Sequence, residues 1–357
     1  MADMFAYLKW RGDILFSQVP VNHVDSLIFT TLAYVHFEDV ISDNVMEFTF
    51  LRTAAEKILA MPDYQSRGRI PKDLELLKAA AQTERFGRVG VTCYQNIFVP
   101  EEETQFCAIT FMMEDGTAFL AFRGTDNTLT GWKEDFNMSF QESVPAQRLA
   151  QEYVKNFTEV SGAKMRLGGH SKGGNLAVYA GAKSSETVQN RILEIFNHDG
   201  PGFSENMMED PGYLRIVPKI KTFVPQSSVF GMLLEHEEPY TIIRSKSVGL
   251  LQHDPYSWEV MGRDFIHAEE LTADSRFLDK TFKTWLAGMT NEERSEFFDA
   301  VFDLLMTEKA IRPKGLPRPQ NLLSYFKSMQ MDEGKRKMIA STLLELVDAA
   351  KQSQKEE

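Results

Sequence analysis

A serine between two glycines, inside a glycine-rich stretch, is the feature of this sequence best suited to chemistry. Gly169, Ser171 and Gly173 fit the pattern G-x-S-x-G, which marks a serine on a sharp strand-to-helix turn. Glycine is favoured two residues to either side because a side chain there would collide with the neighbouring strand and helix. The helix that follows directs free N–H groups and its positive dipole end towards an oxyanion at the serine. The pattern predicts that Ser171 is a nucleophile; the alternative is a glycine-rich loop without chemistry.

A nucleophilic serine needs a base that accepts its proton, and histidine is the usual base. In folds with this motif the histidine comes last in the chain, at the end of a late strand. His253 comes after a short apolar run, 248–251, that follows the last clearly predicted strand, 240–244, so we predict it as the base. His267 is the reserve, and the alternative for His253 is a histidine in a polar turn. His170, next to the serine, is expected to pack or to form hydrogen bonds rather than to act as the base.

Three segments together resemble the class 3, fungal-type lipases. Those lipases have F-R-G-[ST] at the end of a strand, then W-x-x-D, and then G-H-S-L-G-G. Here residues 122–125 are F-R-G-T, Trp132 and Asp135 follow, and residues 169–174 are G-H-S-K-G-G. The resemblance covers roughly residues 89–267, and the layout is also similar to an uncharacterised bacterial domain family of that lineage. It implies an α/β-hydrolase fold and serine chemistry on carboxylic esters.

The resemblance also implies where an oxyanion would be held. The Ser or Thr of F-R-G-[ST] supplies one donor in the lipases, which corresponds to Thr125; the backbone N–H after the nucleophile supplies the other, which corresponds to Lys172. The chemistry agrees, because a loop at the end of an earlier strand must provide the second donor. A cap in a tight turn is the alternative role for Thr125. Lys172 replaces the leucine of the lipases, so its side chain is expected to be solvated or to attract an anionic substrate.

The acid of the predicted triad is the main departure from these lipases. They carry it in a D-x-[VI]-P segment, and the best match here has Thr222 where aspartate should stand. Asp199 follows the predicted strand 192–196 and precedes a G-P-G turn. Because pancreatic-type lipases, another branch of the fold, place the acid after this strand, we predict Asp199 as the acid, with a turn or helix cap as the alternative. Asp254 is a competitor, but adjacent residues generally cannot orient each other's rings, which disfavours it as the partner of His253.

Composition restricts the class of protein. The 357 residues are 43% hydrophobic and 25% charged, which is typical of a globular chain, and the net charge of −12 disfavours a nucleic-acid partner. Cys93 and Cys107 are expected to be buried thiols in a reducing compartment. Charges interrupt the apolar residues of positions 1–16, unlike a signal peptide, and no apolar run predicts a transmembrane segment. We therefore predict a cytoplasmic protein, and its chemistry calls for no metal or other cofactor.

The distribution of helical and strand patterns predicts three regions. A helical N-terminal segment, 1–85, packs on an α/β-hydrolase core, 86–271, and a helical C-terminal extension occupies 272–357. Strands alternate with helices in the core, which predicts a mostly parallel central sheet covered on both faces. In the extension, a proline-rich link at 312–319 lies among predicted helices at 277–289, 291–305, 321–329 and 333–351.

Together these features predict a serine hydrolase that cleaves carboxylic esters or thioesters of small molecules or lipids through an acyl-enzyme intermediate. Two alternatives stay open. One is a non-catalytic relative that binds a partner, favoured by Thr222 at the acid position, and the other is an acyltransferase with the same residues. The apolar stretch 230–234 is either a mobile lid or part of the core. The sequence specifies neither the substrate nor the oligomeric state.

Overall fold

The computed structural model describes residues 2–126, 128–307, 338–339, 341–342, 344–346, 348–350 and 353. Within them, eight strands form one sheet in which the spatial order of the strands follows their order in the chain. Neighbours pair antiparallel from β1 to β4 and parallel from β4 to β8. The strands are β1 Thr49–Phe50, β2 Gly90–Val99, β3 Thr104–Met112, β4 Ala118–Phe122, β5 Met165–His170, β6 Ile192–His198, β7 Ile220–Pro225 and β8 Tyr240–Ile243. A separate hairpin joins β9 Val260–Met261 to β10 Asp264–Phe265.

Helices flank the sheet and complete an α/β-hydrolase fold, as the sequence predicts. The helices in the described residues are α1 Met4–Arg11, α2 His23–Leu32, α3 Leu51–Leu59, α4 Pro71–Ala81, α5 Glu84–Gly87, α6 Leu129–Asn137, α7 Pro145–Val160, α8 Lys172–Ala182, α9 Glu186–Gln189, α10 Glu205–Met208, α11 Pro211–Ile216, α12 Ala273–Ala287 and α13 Asn291–Thr307. The first half of the sheet is antiparallel because short links join β2, β3 and β4, whereas parallel neighbours need a longer crossover.

Strand β4 shows why helices are required on both faces. Successive residues of a strand point to opposite faces, so Phe119 and Ala121 pack in the core that includes α2. Leu120 and Phe122 point the other way and pack with α7 and α8. All five residues of β4 are buried, which explains its continuous apolar sequence.

The N-terminal helices are held together by a buried ion pair. The Arg85 guanidinium, in α5, donates to both carboxylate oxygens of Asp25, in α2, at 2.8 and 2.5 Å, and both side chains are fully buried. Tyr7, in α1, donates its hydroxyl to the same carboxylate at 2.8 Å, and Arg85 also donates to the Ile14 carbonyl. Three helices thus share one charge pair whose hydrogen-bonding groups are satisfied within the protein.

The described part of the C-terminal extension packs on α6. The Phe136 and Phe298 rings lie 4.6 Å apart, and Lys133 forms an ion pair with Asp299 at 2.9 Å. The helices predicted at 277–289 and 291–305 correspond to α12 and α13, and α12 begins four residues earlier than predicted. The predicted link at 312–319 and helix at 321–329 lie outside the described residues, as does most of the helix at 333–351. No helix in the described ranges has both the length and the apolar character needed to cross a bilayer.

The turn between β5 and α8 brings three backbone segments into close contact. Ser171 has φ 59° and ψ −135°, a conformation that non-glycine residues rarely adopt. A Cβ atom on Gly173 would lie 2.1 Å from the Phe122 carbonyl oxygen, and one on Gly169 would lie 2.0 Å from the Gly173 carbonyl. Both positions therefore require glycine, as the G-x-S-x-G spacing predicts.

We expect Gly173→Ala to destabilise the protein strongly, because the clashing atom belongs to the backbone of β4 and cannot rotate away. The loss should reach or exceed the upper end of the overpacking range, about 3 kcal/mol, measured by chemical denaturation. Gly162→Ala is the matched control, since a Cβ there meets no atom within 4 Å. That variant should be as stable as the wild type or slightly more stable. Equal stability of the two variants would contradict the close contact at the turn.

We expect Arg85→Met to destabilise the fold by about 3–5 kcal/mol, because it leaves the Asp25 carboxylate buried and unpaired. Chemical denaturation measures the change. Lys155→Met is the control: its ion pair with Glu159 is exposed and 3.9 Å long, so its loss should change stability by less than about 0.5 kcal/mol. A similar small change for Arg85→Met would show that the pair does not hold these helices together.

Candidate active site

The carboxyl ends of neighbouring strands bring two predicted site residues together. Strands β5 and β6 are parallel, and His170 pairs with His198 at their ends. The next residues along the two strands are Ser171 and Asp199, so the register places them side by side at one edge of the sheet. In open parallel sheets, ligands bind outside this edge.

Both residues have a backbone conformation unusual for their type. Ser171 has φ 59° and Asp199 has φ 56°. Each is held by a neighbouring strand end: Ser171 N–H donates to the His198 carbonyl at 2.9 Å, and Asp199 N–H donates to the Phe223 carbonyl at 2.8 Å. Strained conformations of this kind cluster at functional sites, where the surrounding structure imposes them.

Asp199 and His253 form a short hydrogen bond. His253 ends a short 3₁₀ helix, Gly249–His253, and its Nδ1 lies 2.6 Å from Asp199 Oδ2. The Asp199 carboxylate is fully buried, and its other oxygen accepts from the Ser228 hydroxyl at 2.5 Å. Because the ionised carboxylate only accepts, Nδ1 of His253 carries the proton and Nε2 is the basic nitrogen.

The His253 ring contacts two other rings. The centroid of the His170 ring is 4.6 Å away and that of the Phe230 ring 4.5 Å away, both in tilted arrangements. His170 Nε2–H donates to the His253 carbonyl at 2.8 Å, and the Tyr34 hydroxyl donates to His170 Nδ1 at 3.0 Å. Burial, helped by the neighbouring His253, lowers the pKa of His170 well below its usual value. His170 is therefore neutral and holds the backbone of His253 in place.

Ser171 and the basic nitrogen of His253 are both open to a substrate. Ser171 is half-buried, and the His253 side chain is 21% exposed. Within the described part of the chain, neither Ser171 Oγ nor His253 Nε2 forms a hydrogen bond. Such bonds are often long in unliganded enzymes and shorten when substrate binds.

The backbone N–H groups of Thr125 and Lys172 belong to the residues that directly follow Gly124 and Ser171, and a Cβ on Gly124 would lie 3.1 Å from the Ser171 Cβ. Neither group donates a hydrogen bond to another described residue. The Thr125 hydroxyl donates to Asp135 Oδ2 at 2.5 Å. Burial raises the pKa of Asp135 to about 6, although the Lys172 charge and the Thr125 hydrogen bond act in the opposite direction. Thr125 is not the cap of the following helix, because Thr128 caps α6.

The sequence-based expectation for the Lys172 side chain is wrong. Lys172 is 1% exposed, so the side chain is neither solvated nor available to an anionic substrate. Its ammonium group lies 2.8 Å from each of three oxygens: the Gln105 carbonyl, the Gln105 side-chain oxygen and Glu134 Oε2. The local sequence gives no sign of this, because Glu134 lies 38 residues away along the chain.

Three other residues considered in the sequence have hydrogen-bond or ion-pair partners other than Asp199 and His253. Thr222 donates to Glu238 at 2.7 Å in a separate buried cluster. His267 is 55% exposed and lies 3.6 Å from Asp264, so it has a different carboxylate partner from His253. The Asp254 carboxylate accepts from the backbone N–H of Tyr256, two residues on.

The structure also shows contacts that the sequence analysis missed. Ser228 orients the Asp199 carboxylate, Tyr34 holds His170 and Glu134 pairs with Lys172. No motif includes Ser228 or Tyr34, and Glu134 is an unspecified position of the W-x-x-D segment, 132–135. Each acts on a partner distant in the chain. In the apolar stretch 230–234, Met232 is buried, whereas Phe230 is 41% exposed and its ring contacts His253 at a tilt of 41°.

This chain is similar to one protein family and to a solved lipase structure. A search of curated proteins gives no match. Among solved structures, a crystal structure of M37 lipase is similar, with 14% sequence identity over 58% of this chain and 67% of the lipase chain, and a TM-score of 0.38. A family model described as Mbeg1-like matches residues 80–303, which is more than half of the chain and includes Ser171, Asp199 and His253. The chain therefore belongs to the Mbeg1-like family.

Proposed function

We propose that this protein is a serine hydrolase of carboxylic esters or thioesters, in which Ser171 is the nucleophile, His253 the base and Asp199 the acid. The observation that carries the proposal is the 2.6 Å hydrogen bond from His253 Nδ1 to Asp199, next to a serine in a strained turn. That bond leaves Nε2 as the basic nitrogen, which is the state needed to accept a proton from serine. The sequence resemblance to class 3 lipases supports an ester as the substrate.

The proposed reaction proceeds in two halves. Nε2 of His253 takes the Ser171 proton while Oγ attacks the substrate carbonyl, and the oxyanion accepts from the N–H groups of Thr125 and Lys172. The C–O or C–S bond then breaks, and protonated His253 gives its proton to the leaving alcohol or thiol. In the second half, His253 takes a proton from water, whose oxygen attacks the acyl carbon; the acid leaves and Ser171 regains its proton. Asp199 stays ionised and stabilises the imidazolium that forms in each half.

We further propose that the helical regions 1–85 and 272–357 help to position groups around the triad in the core, 86–271. Tyr34, from the first region, hydrogen-bonds His170 beside the proposed base. Ser275, in α12 of the second, donates to the Ser228 carbonyl at 2.5 Å, and the Ser228 hydroxyl contacts Asp199. Both regions thus support groups around the proposed triad.

The state of the two cysteines bears on the cellular location. The two cysteines, Cys93 and Cys107, are free and buried, which supports a reducing compartment and a cytoplasmic location. An ester of a small molecule or a lipid fits the proposed chemistry.

We expect Ser171→Ala to abolish hydrolysis of a p-nitrophenyl ester and labelling by a fluorophosphonate probe. His253→Ala should lose about as much activity, because nucleophile and base act as one unit. His267→Ala is the matched control and should retain full activity, because its ring lies beside Asp264 and not Asp199. Turnover by Ser171→Ala above the uncatalysed rate would remove Ser171 as the nucleophile. A folded wild-type protein without an adduct on Ser171 would favour the non-catalytic binding protein.

We expect Asp199→Asn to lower kcat by about 10⁴ while the protein stays folded. The asparagine amide can donate to Nδ1, which moves the His253 proton to Nε2 and removes the base. Asp264→Asn is the control, because Asp264 also contacts a histidine, His23 at 2.7 Å, but lies outside the proposed site. Steady-state kinetics with circular dichroism measure both variants. A loss of less than about tenfold for Asp199→Asn would exclude Asp199 as the acid.

A further inference from the structure

We propose that the side chains of Lys172 and Glu134 are positioning residues that set the distance between the two oxyanion donors, the N–H groups of Thr125 and Lys172. The two side chains together are called the strut. This inference rests on the proposed function, because the two N–H groups matter only if an oxyanion forms beside Ser171.

One end of the strut fixes the turn that carries Ser171. The Lys172 ammonium group has three N–H donors, and three oxygens at 2.8 Å accept them: two from Gln105, in β3, and one from Glu134, in α6. With every donor used, the side chain cannot rotate without losing a buried hydrogen bond. The backbone N–H of Lys172 is thereby held relative to β3 and α6.

The other end fixes α6 itself. Glu134 Oε2 also accepts from the Gln105 N–H at 3.1 Å, and Oε1 accepts from the Ala146 N–H, at the start of α7, at 2.8 Å. Both carboxylate oxygens are therefore used, and Glu134 is fully buried. The carboxylate holds α6 against β3, α7 and the turn at the same time.

Thr125 is in turn placed by α6. Its hydroxyl donates to Asp135, the residue after Glu134, at 2.5 Å. Its methyl group lies against Gly131, where an added Cβ would come within 2.9 Å. A chain of short contacts thus runs from one N–H donor through Asp135, Glu134 and the Lys172 side chain to the other N–H donor.

The energetics favour a positioning role over a stabilising one. Desolvation of two buried charges offsets most of their attraction, so a buried ion pair is poor evidence of stability. An oxyanion hole, in contrast, depends on donors fixed about 2.7–3.1 Å from the oxyanion, and loss of one donor costs about 10² to 10³ in kcat. A small movement of α6 relative to the turn would displace one donor from that range.

The test compares Lys172→Met, Glu134→Gln and the double variant with the wild type. The double variant removes both charges of the pair, and Asp135 loses the Lys172 charge equally in Lys172→Met and in the double variant. We therefore expect the thermal midpoint of the double variant to lie above that of Lys172→Met, which leaves the Glu134 carboxylate buried and unpaired. We expect kcat to stay reduced by at least about tenfold in all three variants, because each lacks the strut. KM should change little, while binding of an aryl boronic acid, which mimics the oxyanion, should weaken by about the same factor as kcat.

A structural role predicts a different result. If the double variant recovered kcat together with its thermal midpoint, or if any of the three variants kept wild-type kcat and boronate affinity, the positioning role would be wrong. Arg85→Met/Asp25→Asn is the matched control, since it neutralises a buried ion pair among the N-terminal helices. It should lower the thermal midpoint without changing kcat below that temperature.

The same measurements separate this inference from the proposed function. If Ser171→Ala is as active as the wild type, the oxyanion hole at this site is wrong and the inference fails with it. If the wild type hydrolyses the ester through Ser171 while Lys172→Met retains full kcat, only the strut is wrong.

Discussion

The close contact of three backbone segments at the β5–α8 turn is the constraint on which the rest of the site depends. The absence of side chains at Gly169 and Gly173 lets α8 begin directly against β4 and β5. This contact holds Ser171 in its strained conformation at the start of α8. The parallel pairing of β5 with β6 then places Asp199 beside Ser171. A shift of any one of these strands would move all of these groups.

Buried polar groups connect this turn to distant parts of the chain. An unsatisfied buried donor, acceptor or charge raises the free energy of the folded state, so most buried polar groups are hydrogen-bonded. Lys172 forms an ion pair with Glu134, and His170 forms a hydrogen bond with Tyr34 in the N-terminal segment. The Ser228 segment, which contacts Asp199, is held by Ser275 in α12. Two residues outside the core strands, Tyr34 and Ser275, therefore belong to the surroundings of His170 and of the Ser228 segment.

The position of Asp199 shows that a carboxylate at the end of a different strand can also reach the histidine. Thr222 stands where the class 3 lipases have aspartate, and its hydroxyl points to Glu238. Asp199, at the end of the preceding strand, reaches the His253 ring because its φ of 56° turns the chain and Ser228 holds its second oxygen. The ends of adjacent parallel strands lie about 5 Å apart, so an acid on either strand can approach a histidine from a later loop.

Local patterns in the sequence were sufficient for the fold class and for the features built from near neighbours. The glycine spacing around Ser171, the apolar run of β4 and the alternation of strands with helices each arise from contacts within a few residues or from a fixed period. The proposed roles of Ser171, His253, Asp199, Thr125 and Lys172 came from the same patterns and from resemblance, and they remain predictions. The short hydrogen bond between Asp199 and His253 is an observation that the sequence could only suggest.

The tertiary structure alone decided the partners of the buried polar side chains. The local sequence favours a Lys172 side chain in solvent or facing an anionic substrate, whereas the fold buries that side chain against Glu134. Ser228 and Tyr34 belong to no motif, yet they contact Asp199 and His170. Such pairings join residues tens of positions apart and follow no period. Because they depend on which elements the fold brings together, a local pattern cannot specify them.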